Sequence, residues 1–287
     1  MIKRLFIYIA LALLPALSAS AQVFYSSTEF GVGLGGAQYF GDLNETTFKY
    51  VRPAGSIFAR YHFNPFISGK VSVVFAKVGF DDKLSNNPYN RKRNLNFESE
   101  VFEASVQAEF NFFRFATGRD GGRFTPYLTL GVGVFHYNPY TFYNGQKYHL
   151  RPIGTEGQNY GYDQHKYSTT AVCFPIGFGL KYWLRPGVNL GFEIADRLTM
   201  TDYLDDVSTY YVDRDLFAGN VNNPVPQYFI QDRSLEVTPS DPIGRPGKQR
   251  GNPATRDQYM TAMITLSFQL KVYKCPGYLN RDFMQGD

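Results

Sequence analysis

Cysteine is nearly absent from this 287-residue chain, which has only Cys173 and Cys275, one tryptophan and four histidines. A scaffold stapled by several disulfides is therefore excluded. C-x-x-C, H-E-x-x-H and G-x-S-x-G are missing, and His62, His136, His149 and His165 stand apart from any nucleophile at a recognised spacing. The chain reads as a non-enzyme with no cofactor and no metal. Net charge is small: the formal value is +4, and without Lys3 and Arg4 it is +2, so nothing favours nucleic acid as a partner. Long apolar runs are lacking too. Beyond residue 21 no stretch reaches the roughly 18 apolar residues of a spanning helix.

The first 21 residues are read separately. Lys3 and Arg4 precede an apolar run from Leu5 to Leu14, and Ala19, Ser20 and Ala21 form an A-x-A site. This is the pattern of a secretory signal peptide, with cleavage expected after Ala21. No cysteine follows the site, so a lipoprotein anchor is not expected.

What the chain has in quantity is Tyr (22), Phe (26) and Gly (27), set in segments of strict two-residue alternation. The clearest hairpin is 172–198. Val172, Phe174, Ile176, Phe178, Leu180, Tyr182 and Leu184 share a face up to the turn Arg185, Pro186 and Gly187, after which Val188, Leu190, Phe192, Ile194 and Leu198 resume it. The opposite face is small or charged. Segments 29–40, 56–63, 67–80, 102–112, 127–135 and 260–272 add six more strands; in 67–80 two phases compete and neither prevails. Glycines 31, 33 and 35 lie within such alternation, which excludes a phosphate-binding loop because no turn into a helix follows.

Eight strands of about ten residues, joined alternately by short turns and long loops, predict an all-β fold. The specific expectation is an eight-stranded antiparallel up-and-down transmembrane β-barrel of the outer membrane with long extracellular loops and both termini periplasmic. A soluble Greek-key sandwich would have shorter strands. The expected organisation is signal peptide 1–21, barrel 22–273 and periplasmic tail 274–287, with outer-membrane lipids as the first partner.

Taking the small-or-polar face as inward places Glu29, Glu103, Glu109 and Glu193 in the lumen with Arg60, Lys181, Arg197 and Lys271. Four acids meet four bases in an interior about wide enough for its own side chains, so a plugged lumen is expected. Cys173 and Cys275 fall near opposite ends of the barrel, too far apart for a disulfide. That makes Cys173 a small buried filler and leaves Cys275 either a free thiol or half of a bond to a partner. Arg91, Lys92 and Arg93 read as solvated or touching lipid phosphates. His149, His165 and Ser168 are the loop groups from which a rim enzyme would have to be built. The acidic stretch 201–208 lacks the Gly and terminal Glu of an EF-hand loop; it reads as a short helical turn capped by Thr201 or as a solvated loop.

Three blocks carry a family resemblance: Glu29-Phe30-Gly31-Val32 with Gly35-Gly36 and Tyr39-Phe40-Gly41-Asp42-Leu43; the segment 174–182; and Thr201, Asp202, Tyr203, Leu204, Asp205, Asp206, Val207, Ser208 and Thr209, continuing to Tyr211. Together they resemble the PorG-like outer-membrane barrels of Bacteroidota, associated with the type IX secretion system and gliding motility. The similarity runs from about Tyr25 to Cys275; the insertion within 213–252 departs from it, and nothing is transferred there. The resemblance implies a non-enzymatic scaffold that contacts the periplasmic ring lipoprotein and its partner subunits through the short turns, among them Arg185, Pro186 and Gly187, and through the tail with Cys275.

Overall fold

The structure, a computed structural model, describes residues 27–44, 48–115, 122–218, 227–238 and 240–270. The expected signal peptide, the tail, Lys271, Cys275 and part of the turn 117–123 lie outside the described residues.

Ten strands form one sheet, and eight of them close into a barrel. These eight are β1 (Ser27–Phe40), β2 (Arg52–His62), β3 (Ile67–Asp81), β4 (Asn96–Asn111), β5 (Phe124–His136), β8 (Thr170–Arg185), β9 (Val188–Thr199) and β10 (Gln258–Gln269). Every pairing is antiparallel between chain neighbours, and β1 closes the ring on β10, with Glu29 opposite Gln269 and Phe40 opposite Gln258. The remaining two, β6 (Tyr140–Tyr143) and β7 (Gln146–His149), make a hairpin inside the β5–β8 loop, tied to β4 through Glu98 opposite Tyr140. Sequence alternation did not reveal this hairpin, because its strands are only four residues long.

Alternation sorts side chains by face. Outward positions are apolar and exposed on all eight strands; Leu34, Leu130 and Ile264 are 73%, 60% and 62% exposed. A carboxylate, Asp196, stands within this belt, opposite Ile176 on β8 and Met260 on β10. At the short-turn end the belt is aromatic, with Phe63, Phe66, Phe112, Phe113, Phe124 and Tyr182 exposed.

The structure resolves the phase of β3. Ile67, Val71 and Phe75 point outward, while Ser68, Lys70, Ser72, Val74, Ala76 and Val78 point inward. The ambiguity has a physical origin, because the interior has two halves. Toward the short turns it is polar and charged. Toward the long loops it is an apolar core in which Tyr39, Val78, Phe80, Phe97, Phe135, Leu204, Ile230 and Tyr259 pack together. A strand crossing from one half to the other carries polar and then apolar residues on the same face.

Two glycines create room for rings in the lower half. A Cβ on Gly31 would lie 2.3 Å from Phe58 Cζ, and one on Gly179 would lie 2.3 Å from Tyr127 Cζ. At Gly55 the nearest atom is 3.6 Å away. Gly179→Val is therefore expected to destabilise the folded barrel by about 1–3 kcal/mol, an overpacking cost, while Gly55→Ala leaves stability nearly unchanged. Urea unfolding in detergent micelles, followed through Trp183 fluorescence, compares the two.

Candidate functional site

The lumen holds its charges in two groups separated by a neutral layer. In the lower group Arg60 Nη1 donates to Glu29 Oε1 at 2.7 Å, and its Nη2 donates to Glu109 Oε1 at 3.0 Å. Lys181 Nζ reaches Glu109 Oε2 at 2.5 Å and Asn111 Oδ1 at 3.1 Å. Lys70 Nζ holds both oxygens of Glu193, at 2.9 and 2.6 Å, and Tyr127 OH donates to the same carboxylate at 2.6 Å. His62 bridges Glu29 Oε2 and Ser68 Oγ at 2.8 Å each. The neutral layer is Gln107, which donates to Ser72 and Ser105 and accepts from Thr129. Above it Arg197 Nε donates to Glu103 Oε2 at 3.0 Å, with Tyr259 OH on the same oxygen at 2.9 Å.

The void left among Arg60, Lys70, Gln107, Glu193 and Arg197 is about 10 Å³. That is about the smallest space able to hold one water. Desolvated charges are tolerable here only because each meets an opposite charge and further hydrogen bonds.

A folded cap covers the long-loop mouth, and the stretch Thr201–Thr209 is its centre. This stretch is neither a helical turn nor solvated: Leu204, Asp205, Asp206, Val207 and Ser208 are buried. Tyr39 OH lies between two carboxylates, 2.6 Å from Asp205 Oδ2 and 2.8 Å from Asp257 Oδ1. Asp257 also accepts from Leu204 N, and Asp205 from Val207 N. Asp206, at a positive φ of 64°, accepts from Thr155 and Tyr167 hydroxyls at 2.5 Å each. The Glu156 carboxylate receives Ser208 N, Thr209 N and Oγ1, and Arg250 Nη1. Among the described residues no group of three or more acids, histidines or cysteines is arranged to hold a metal ion.

Burial raises several cap carboxyls above their ordinary range. Asp205 and Asp257 go well above it, from burial first, with the other cap carboxylates adding to the shift. Asp42 is pushed up to about 6, chiefly by burial, and Asp202 to about 7, by burial and then by Asp42 and Glu156. Tyr39 has one proton for two acceptors, so the Asp205–Tyr39–Asp257 bridge is complete only when one carboxyl is protonated.

Of the lumen residues named from sequence, Glu29, Arg60, Glu103, Glu109, Lys181, Glu193 and Arg197 all meet a partner inside. Lys70 and His62 were not singled out; Lys70 sits on the strand of unresolved phase, and only its register against Glu109 and Glu193 would have revealed it. Arg93 is corrected: it is buried, paired with Asp82 at 2.7 Å, and is the last residue of a short helix, Pro88–Arg93, capped by Asn87. Its charge closes the cap rather than meeting solvent or lipid. Arg185 and Pro186 are exposed at the short-turn end, where Gly187 takes φ 80°. Cys173 is a buried free thiol. His149, His165 and Ser168 are engaged separately, with Tyr140, the Glu156 carbonyl and Thr170 N respectively.

Removing one partner of the upper pair strands the other. Glu103→Leu or Arg197→Leu is expected to cost about 3–5 kcal/mol, while the double variant recovers most of that loss. A double-mutant cycle of urea midpoints in micelles measures it. The cap has its own pH signature. Carboxyls raised in the folded state favour the cap fully below about pH 4, and this contribution fades as pH rises through 6 and 7. Amide exchange at Leu204 and Val207, corrected for intrinsic rate, is expected to be slower at pH 5 than at pH 8. Asp205→Asn should flatten the difference.

No curated protein matches the chain. Among solved structures, Ail of Yersinia pestis in complex with the heparin analogue sucrose octasulfate is 10% identical, with 86% of this chain and 100% of that chain covered and a TM-score of 0.41. Neisserial surface protein A is 9% identical over 86% and 100% at a TM-score of 0.42, and OprG of Pseudomonas aeruginosa 8% over 86% and 98% at 0.37. Likenesses at such TM-scores add nothing to the strand pairing already described. Residues 3–230 match the family described as Domain of unknown function (DUF6089), and because that match spans most of the sequence the chain belongs to the DUF6089 family.

Proposed function

We propose that this protein is a non-enzymatic outer-membrane barrel that serves as an anchor, holding a periplasmic assembly at the membrane. The observation that carries the reading is the lumen: paired charges line it, the void among Arg60, Lys70, Gln107, Glu193 and Arg197 is about 10 Å³, and the cap covers one mouth. A conduit needs a wider, water-filled interior. The outward face supports the membrane part of the reading, since its apolar belt runs round all eight strands and far exceeds the patch a soluble monomer exposes. Strands of 11 to 16 residues are long enough to cross tilted.

With transport unsupported, the function lies at the two ends. The short-turn end, with Asn64-Pro65, Arg185, Pro186 and Gly187, faces the periplasm in this reading, and the capped end faces outward. The resemblance to PorG-like barrels names the assembly as the type IX secretion machine, with its periplasmic ring lipoprotein and partner subunits as contacts. A barrel fixed in the membrane gives such a ring a constant height and plane. No chemistry is required of it.

Deleting the gene in its own host and comparing the culture-medium proteome with wild type tests the proposal. Proteins bearing the secretion system's C-terminal sorting domain are expected to vanish from the medium, accumulate in the periplasm, and return with the intact gene. An unchanged secretome in a strain without a second copy would overturn the secretion role, leaving a passive barrel for envelope integrity or adhesion.

A further inference from the structure

Beside the hairpin β6–β7, the outer wall of the barrel carries a cavity of about 690 Å³. Its floor is the apolar belt itself: Leu34, Phe75 and Phe102 on β1, β3 and β4, all exposed, with Gly55 as a notch on β2. The volume is that of a small-molecule site. Its upper end is formed by the hairpin and by the strand ends just above the belt, and there the lining changes character. Lys77, Lys147, His136 and His149 face one acid, Glu100.

The two lysines differ in availability. Lys77 is bound to Glu98 at 2.7 Å, a carboxylate that also takes Arg52 and the Tyr140 hydroxyl. Lys147 Nζ lies 3.6 Å from the Tyr140 ring centroid, and its nearest carboxylate oxygen, on Glu100, is 3.9 Å away, beyond hydrogen-bond reach. A largely uncommitted ammonium group thus stands at the mouth of an apolar slot that is continuous with the membrane-facing belt.

The geometry points to a site for an acyl lipid with an anionic phosphate headgroup, its chain along Leu34, Gly55, Phe75 and Phe102 and its phosphate at Lys147. The belt selects a chain that already lies in the bilayer, and the Lys147 ammonium at the rim selects the charge of the head. This inference rests on the membrane reading of the outer face.

Native mass spectrometry of the full chain, purified in detergent micelles with equimolar phosphatidylglycerol and phosphatidylcholine, tests it. Wild type is expected to retain phosphatidylglycerol with about tenfold preference. Lys147→Glu should bring the two lipids to near parity. Gly55→Phe should abolish retention by filling the slot; Gly55 has no neighbour within 3.6 Å of a new Cβ, and Trp183 fluorescence reports that the variant is folded. Equal retention of both lipids by wild type, or unchanged retention by folded Gly55→Phe, would overturn the site while leaving the membrane reading intact. A chain that stays monodisperse without detergent and retains neither lipid would overturn both.

Discussion

Everything inside this barrel depends on the pairing of carboxylates with cations away from water. Arg60 and Lys181 converge on Glu109 from β2 and β8, and Lys70 from β3 meets Glu193 from β9 across the lumen. Six strands, β1, β2, β3, β4, β8 and β9, carry these charges, and none of the six could be shifted by one residue without stranding a buried charge, because such a slip sends every inward side chain outward. The same network that holds the strands in register also fills the lumen. Strand register and the filling of the lumen are therefore one property.

The cap follows a different logic. Its mouth is lined by apolar and aromatic side chains, and the polar groups that enter it do so in hydrogen-bonded or ion-paired sets. Asp205, Asp206, Asp257 and Glu156 accept from backbone amides, hydroxyls and Arg250, which makes them turn-builders. Residues 201–209, the most specific part of the family resemblance, are consistent with this: they are where the β9–β10 loop is stitched to β1 through Tyr39 and to the β5–β8 loop through Thr155, Glu156 and Tyr167.

The two ends of the molecule consequently differ in kind. The short-turn end is an exposed rim of tight turns and aromatic side chains. The loop end is a closed lid whose edge, at β6–β7, overhangs the belt and makes a slot on the outer wall.

The sequence by itself determined the eight strands, which face of seven of them is outward, and the identity of seven lumen charges. A two-residue period reports directly on which side of a strand a residue lies, and pairing of buried charge is compulsory. It also marked residues 201–209 as distinctive. Only the tertiary structure decided what those residues do, because Tyr39 meets Asp205 and Asp257 from positions 166 and 218 residues away along the chain. The phase of β3, the lumen role of Lys70 and the burial of Arg93 were decided the same way. For β3 and Lys70 the neighbours in sequence allow either face, and the choice belongs to side chains met across the barrel; for Arg93 it belongs to Asp82 in the same loop.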